Sequence, residues 1–400
     1  MERAVRVVTA LALLLFPGSN GEAAAQDGLV LSGGGARGLA HAGVLVALEE
    51  QGYDPDVVVG ASMGAVVGSL YAAGYGADEI VALFRSVDWR QIFAPQTVLA
   101  GPERDPRYPV LHFSRPPGGT FGVRQIVPDW RINRLLVRHL FGPLAAARGD
   151  FDRLPRRFRA VAADLRHLER FAPAEGNLPL IVRASLSAPG FFAPVRWGDR
   201  WLMDGGARDY LPVDIARELG AGHVVAVDVV AAPDTLTSLS APDVARRALR
   251  LLLRQVREPG AGAPDVLIQP PLDPDLSAAA FPADPASLIA MGRAGAEEER
   301  FAARTGGEHR RRTHRSRAPA PPSIARREVV AATPALERLV RRAFDSVAPG
   351  ASLEDAVLRA VDRLYATGLF QGVWPYVEVD SLGEGVLRVG ALRFIRVNSI

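Results

Sequence analysis

Apolar positions in this chain fall into short continuous runs bounded by glycine or polar residues. These runs alternate with stretches in which apolar residues recur every three or four positions. The most regular stretch covers residues 28–68, GLVLSGGGARGLAHAGVLVALEEQGYDPDVVVGASMGAVVG. It predicts a strand at Gly28–Leu31, a glycine turn over Ser32–Gly38, a helix to Gly52 and a second strand at Val57–Val59. A sharp turn, Gly60-Ala61-Ser62-Met63-Gly64, then opens another helix. Further on, the pattern predicts a helix over Ala77–Trp89, a strand at Arg157–Asp164 and a helix over Leu178–Ser187 ended by Ala188-Pro189-Gly190. A strand at Arg200–Met203 runs into Asp204-Gly205-Gly206, and Leu211-Pro212-Val213 begins a helix through Leu219. His223–Val230 is a continuous apolar run of the kind buried on both faces of a parallel sheet. A helix near Val244–Val256, a strand at Asp265–Gln269 and a helix near Pro285–Ala303 follow. This alternation predicts a three-layer α/β unit with a mostly parallel central sheet covered on both faces.

Two segments break the pattern. Residues 90–130 lose periodicity, with Phe93, Tyr108, Phe113, Phe121 and Trp130 spaced among prolines and glycines. They read either as a lid or acyl-binding surface or as an irregular insertion with its aromatics in the core. Residues 304–325 hold Gly306-Gly307, the basic run His309–Arg317 and Pro319, Pro321 and Pro322, a composition that cannot bury a core and reads as a linker. A small α+β unit over 326–400 follows: strand Glu328–Ala331, helix Ala335–Phe344, helix Ser352–Thr367 and strands Val373–Asp380 and Val386–Phe394.

The glycine-rich stretch admits two chemistries. Gly33-x-Gly35-x-x-Gly38 between a strand and a helix fits a dinucleotide fingerprint, which needs an acidic residue at the end of the second strand. Gly60 and Ser62 stand there, while Asp54 and Asp56 precede the strand. Gly60-x-Ser62-x-Gly64 between a strand and a helix fits a nucleophile elbow, whose glycines allow a strained turn that lifts the serine hydroxyl out of the sheet. The elbow is the better match. None of the seven histidines sits in a triad-like context, whereas Asp204 is delivered by a strand to a glycine turn where backbones approach closely. Ser62 as nucleophile and Asp204 as its base is therefore the expected pair. The expected oxyanion donors lie on Gly33, Gly34 and Gly35, with Arg37 adding positive potential. Gly38, Gly60, Gly64, Gly205 and Gly206 shape the turns around them.

Composition narrows the chemistry further. The chain has 400 residues, 48% of them hydrophobic, and a net charge of only +3, so no nucleic-acid partner is implied. All 47 basic residues are arginine, which removes Schiff-base chemistry, a Walker lysine and a Ser-Lys pair. Cysteine is absent, so there is neither a disulfide framework nor a thiol nucleophile. At the N-terminus, Arg3 and Arg6 precede the apolar run Val7–Phe16, and Ala23-Ala24-Ala25 follows before Gln26. That is the pattern of a secretory signal peptide over residues 1–25, implying an exported protein of the periplasm, outer membrane or cell surface.

Three ordered blocks carry a resemblance: Gly33-Gly34-Gly35-Ala36-Arg37-Gly38, Gly60-Ala61-Ser62-Met63-Gly64 and Asp204-Gly205-Gly206. Over roughly residues 26–303 the chain resembles the patatin-like phospholipases. The resemblance implies hydrolysis of lipid acyl esters, phospholipids or lysophospholipids, by a Ser62–Asp204 dyad through an acyl-serine, with no metal or cofactor. Family members commonly carry Asn-Asn where Asp209-Tyr210 stand here. The β-α-α-β-β order of residues 326–400, with Leu364–Phe370 before the strand, is similar to a POTRA domain, which in outer-membrane transporters precedes a β-barrel. That likeness leaves open a second reading, a non-enzymatic envelope assembly or translocation module with outer-membrane barrel proteins as partners. If the N-terminal segment is no signal, a cytoplasmic hydrolase is a third.

Overall fold

The structure is a computed structural model that describes residues 26–94, 112–114, 122–125, 127, 129–189, 191–230, 262–273, 276–298, 321–331, 333–345 and 352–393. The signal-like segment 1–25, the helix expected at 244–256, residues 304–320 and most of the irregular stretch between 95 and 128 lie outside the described residues.

The described residues open with β1 (Gln26–Leu31), a tight 3₁₀ turn at Gly35–Leu39, α1 (Ala40–Glu50), β2 (Val57–Ala61) and α2 (Met63–Ala72). Next come α3 (Ala77–Ser86), α4 (Trp89–Phe93), the two-stranded pair β3 (His112–Ser114) and β4 (Gly122–Gln125), and α5 (Trp130–Ala146). β5 (Arg157–Asp164), β6 (Glu169–Phe171), α6 (Leu178–Ser185), β7 (Val195–Trp197) and β8 (Arg200–Asp204) follow. α7 (Val213–Glu218), β9 (Ala221–Val227), β10 (Val266–Ile268) and α8 (Ala286–Glu298) complete the first unit. The remainder is β11 (Ile324–Ala331), α9 (Pro334–Asp345), α10 (Leu353–Ala366), β12 (Phe370–Val379) and β13 (Gly385–Arg393).

The main sheet runs β10-β9-β1-β2-β5-β8-β7, with β6 also on β5. The first five strands in that order are mutually parallel, and β6, β7 and β8 join antiparallel at the β5 end. Side chains alternate between two cores. Leu29, Leu31, Val58, Ala160, Ala162, Val225 and Val227 face one core, packed by residues of α1, α2, α3, α5 and α6. Val30, Val57, Val59, Ala61, Val161, Val224 and Ala226 face the other, against Val213, Ile215 and Ala216 of α7. Burial on both faces is why these strands read as unbroken apolar runs rather than alternating ones.

In the C-terminal sheet, ordered β11-β13-β12, β13 runs parallel to β11 and antiparallel to β12. Leu336, Val340 and Phe344 of α9, Val357, Val361 and Leu364 of α10 and the apolar face of β12 close a core with Val137, Phe141 and Ala145 of α5. The other side of α5, Ile132, Leu136, Leu140 and Leu144, packs in the main core. A single helix thus presents two apolar stripes to two sheets. Among the described residues no helix is long and apolar enough to cross a membrane.

Candidate active site

β2 ends at Ala61 and α2 begins at Met63, so Ser62 alone turns the chain between them. It does so at φ 52° and ψ −123°, a sparsely populated region that costs on the order of 1–3 kcal/mol. A serine at a helix N-cap ordinarily accepts a backbone N–H. The Ser62 hydroxyl makes no such bond and instead donates to Asp204 Oδ2 at 2.6 Å. Gly64 permits this turn, since a Cβ there would lie 2.3 Å from the Leu31 carbonyl oxygen. Gly60 closes against Gly64 in the same way, its Cβ position 2.4 Å from the Gly64 oxygen.

Asp204 arrives from the other side of β5. β8 pairs Asp204 with Ala162, and β2 pairs Ala61 with Val161, so the serine and the aspartate reach the same height on either flank of one strand. Gly205 lets the following turn rest on β5, where a Cβ would meet the Val161 oxygen at 2.0 Å. The Gly206 N–H donates to Asp204 Oδ1 at 2.8 Å. The carboxylate therefore caps its own turn with one oxygen and holds the serine with the other. Burial pushes its pKa up to about 6, against the opposing pull of the Ser62 and Gly206 hydrogen bonds. Histidines 41, 139, 167 and 223 are engaged elsewhere, with the Ser32 carbonyl, Tyr75, Asp164 and Asp27 respectively.

The glycine loop passes beside the nucleophile: a Cβ on Gly33 would lie 3.4 Å from Ser62 Cβ, and one on Gly38 2.5 Å from Met63 Cβ. The four expected oxyanion residues differ in what they hold. The Gly33 N–H donates to the Tyr210 carbonyl at 3.0 Å, and the buried Arg37 guanidinium donates to the Leu276 carbonyl. The N–H groups of Gly34 and Gly35 donate to no acceptor among the described residues. Gly35 sits at φ 57°, where an added Cβ would strike the Ala278 oxygen at 2.2 Å. A hydroxyl bonded to a desolvated carboxylate, with the glycine loop that carries these two N–H groups passing beside its turn, is equipped for acyl transfer.

Several supporting residues carry no motif. His41 is fully buried and its Nε2 lies 3.0 Å from the Ser32 carbonyl. Burial lowers its pKa to about 4, against the Ser32 hydrogen bond, so the ring is neutral and Nε2–H is the donor. Ser32 itself accepts the Val229 N–H at 3.0 Å through its hydroxyl, tying the loop to the end of β9. The Ser62 N–H donates to Ser185 Oγ at 2.8 Å, and the Asp204 N–H to the Ser187 carbonyl at 3.0 Å. Asp209, where the family pattern has Asn, is fully buried and bonded at 2.8 Å to Arg170, which also pairs with Asp214 at 2.6 Å. Arg170 thereby fixes the loop whose Tyr210 carbonyl holds Gly33. The sequence reading placed Leu178–Ser187 on a helix but singled out neither Ser185 nor Ser187. Nor did it single out His41 or Ser32.

Among the described residues, Asp164, His167 and Glu169 place ligand atoms within 4.8 Å of one another. Arg200 donates to Asp164 at 2.7 Å and to Glu169 at 2.6 Å, so a metal ion there would have to displace a guanidinium.

Residues 29–217 match the family model described as patatin-like phospholipase. An uncharacterized NTE family protein of Mycobacterium tuberculosis is 33% identical over 209 residues, covering 52% of this chain and 50% of that protein. Patatin-like phospholipase domain-containing protein 6 of Mus musculus is 32% identical over 209 residues, 52% of this chain and 14% of that protein. The match thus spans half or less of these relatives' own length. Among solved structures, VipD from Legionella pneumophila aligns at a TM-score of 0.42 and 14% identity, over 68% of this chain and 66% of that one.

Proposed function

We propose, from a chain that carries a patatin-like phospholipase domain over residues 29–217, that this protein hydrolyses lipid acyl esters with Ser62 as nucleophile and Asp204 as its base. The observation that carries the reading is the 2.6 Å bond from a strained serine to a buried carboxylate whose pKa is raised to about 6. An ordinary aspartate is too weak a base for a hydroxyl; lifting its proton affinity narrows that gap.

In the first step Ser62 Oγ attacks the ester carbonyl while its proton passes to Asp204 Oδ2. The carbonyl oxygen becomes an oxyanion, for which the Gly34 and Gly35 N–H groups at the positive end of the 3₁₀ turn and α1 are the proposed donors; each such donor is worth about 3 kcal/mol in the transition state. Collapse breaks the bond to the alcohol, which leaves with the proton from Asp204, and an acyl-serine remains. Water then attacks that ester, giving its proton to Asp204, and the fatty acid departs as Ser62 recovers the proton. Labelling by a fluorophosphonate probe and turnover of a short-chain 4-nitrophenyl ester test the assignment. Both are expected to vanish in Ser62→Ala and to fall sharply in Asp204→Ala. Full turnover by folded Ser62→Ala rules the mechanism out.

The finer reading is of an exported enzyme acting on membrane phospholipids. Arg3, Arg6 and the Val7–Phe16 run support export, and N-terminal sequencing of protein recovered outside the cytoplasm tests it. The order β11-α9-α10-β12-β13 supports a POTRA-like unit whose partner is an outer-membrane barrel protein, testable by co-purification from envelope extracts.

A further inference from the structure

We propose that the C-terminal sheet holds the catalytic pair in register through α6, with Arg183 as the positioning residue that transmits the support; this rests on the hydrolase reading above. The segment Arg183–Ser187 touches both members of the dyad by their backbones. Ser185 Oγ accepts the Ser62 N–H at 2.8 Å and donates to the Val161 carbonyl of β5. Two residues on, the Ser187 carbonyl accepts the Asp204 N–H at 3.0 Å. Where this segment sits therefore decides how far Ser62 stands from Asp204.

Both ends of α6 are tied to β12. At the N-terminal end, Asn177 caps the helix by accepting the Leu180 N–H at 3.1 Å, and its amide donates to the Trp374 carbonyl at 3.3 Å. At the other end Arg183, fully buried, donates to Ser187 Oγ at 2.6 Å and to Asp129 Oδ2 at 2.8 Å. The same carboxylate oxygen accepts from Gln371 of β12 at 3.4 Å, and Asn133 of α5 donates to the Gln371 carbonyl at 3.0 Å. The guanidinium also lies over the Phe192 ring, 4.2 Å from its centroid.

A buried ion pair is a poor source of stability compared with apolar packing, and this one is not optimised for it. Among the described residues, Arg183 Nε and Asp129 Oδ1 are buried with no hydrogen-bond partner. What the pair does is join three segments, the Asp129 turn, α6 and β12, at fixed distances. A displacement of the reacting groups by about 1 Å can cost about 100-fold in rate, so a brace of this kind acts on turnover rather than on substrate affinity.

The test uses the full-length protein, a soluble 4-nitrophenyl ester and fluorophosphonate titration of active serines. Arg183→Met is expected to lower kcat per titrated serine by about 10- to 100-fold with KM within about twofold, and Arg183→Lys to recover part of it. Gln371→Leu should lower kcat less, and adding it to Arg183→Met should cause no further loss, because both act on one relay. Val389→Ala, in the core of the same sheet but outside the relay, should lower the melting temperature and leave kcat per serine unchanged. The proposal is overturned if Arg183→Met turns over at the wild-type rate per serine, or if Val389→Ala loses as much kcat as the relay variants. Should Arg183→Met fail to fold, Gln371→Leu and Asn177→Ala carry the comparison, and wild-type kcat in both overturns it. A wild-type protein without Ser62-dependent turnover instead refutes the hydrolase reading before any variant is compared, and the proposal with it.

Discussion

Replacing Asp204, the proposed base, by asparagine should make the protein more stable as it makes it inactive, and the gain should depend on pH. Burial raises the Asp204 pKa from 3.8 to about 6. Two pH units at about 1.4 kcal/mol each amount to about 3 kcal/mol. Because the folded state binds this proton more tightly than the unfolded state, Asp204 contributes stability below pH about 4 that is lost as pH rises through about 6. Above that, the ionised carboxylate is a burden of about 3 kcal/mol. Asparagine carries no such charge and fits the same contacts: its carbonyl can accept the Gly206 N–H and its amide can donate to Ser62 Oγ, the two groups that Asp204 now engages.

Urea unfolding of Asp204→Asn beside wild type, at pH 8, 6, 5 and 4, reads the effect. The variant should lead by up to about 3 kcal/mol at pH 8, and the lead should shrink by about 1.4 kcal/mol per unit between pH 6 and 4. Every other titrating group is common to both proteins and cancels in the difference. A lead that does not vary with pH, or a variant less stable at pH 8, would refute the claim that the carboxylate is held in a dry site.

The same pKa predicts that kcat/KM for a soluble ester falls on the acid side with a midpoint near pH 6, since only the ionised carboxylate can take the serine proton; a midpoint near that of an exposed aspartate counts against this. His41 acts with the opposite sign. Its pKa, lowered by burial from 6.5 to about 4, makes the folded state lose about 3 kcal/mol as pH falls from about 6.5 to 4, and His41→Phe should flatten that loss in urea titrations at pH 7 and 4. Gly64→Ala should destabilise by more than about 3 kcal/mol, beyond ordinary overpacking, because its Cβ would lie 2.3 Å and 2.5 Å from the backbone oxygens of Leu31 and Ser32, which cannot rotate away; near-wild-type unfolding would show that the elbow is looser than described.

How much of this was legible in the sequence depended on whether the determining contacts were local. β5 lies at Arg157–Asp164 as its apolar run predicts, and β1, β2 and β9 start or end within three residues of the expected bounds. Turn glycines flag Ser62 and Asp204 although the two stand 142 residues apart. The three-residue strands β6 and β7 were too short to show a period. α5 escaped delimitation because it buries two stripes, Leu136, Leu140 and Leu144 on one side and Val137 and Phe141 on the other, and carries Pro143 inside. β11 begins at Ile324, before the expected Glu328, since its added residues Arg326 and Arg327 are exposed on an edge strand. The acceptor of the Ser62 N–H lies 123 residues away on Ser185, a pairing that no local pattern encodes.

The placement of the arginines makes the proposed base possible. In a chain whose basic residues are all arginine, a buried carboxylate is usually met by a guanidinium, as Asp209 is by Arg170 and Asp129 by Arg183. Asp204 differs from these two: among the described residues its pKa is set by burial and by two neutral donors, and no cation acts on it. Yet Arg183 reaches the hydroxyl of the residue whose carbonyl holds the Asp204 N–H, and Arg37 lies in the loop beside Ser62. Had either paired with Asp204, the attraction would have drawn the carboxylate below its ordinary range and removed its basicity. Instead each donates elsewhere, Arg183 to Ser187 and Asp129 and Arg37 to the Leu276 carbonyl. A two-residue site needs this more than a triad does. With no histidine between serine and acid among the described residues, the proposed mechanism makes the acid itself the base, so the surrounding positive charge has to fix backbone positions without touching the carboxylate.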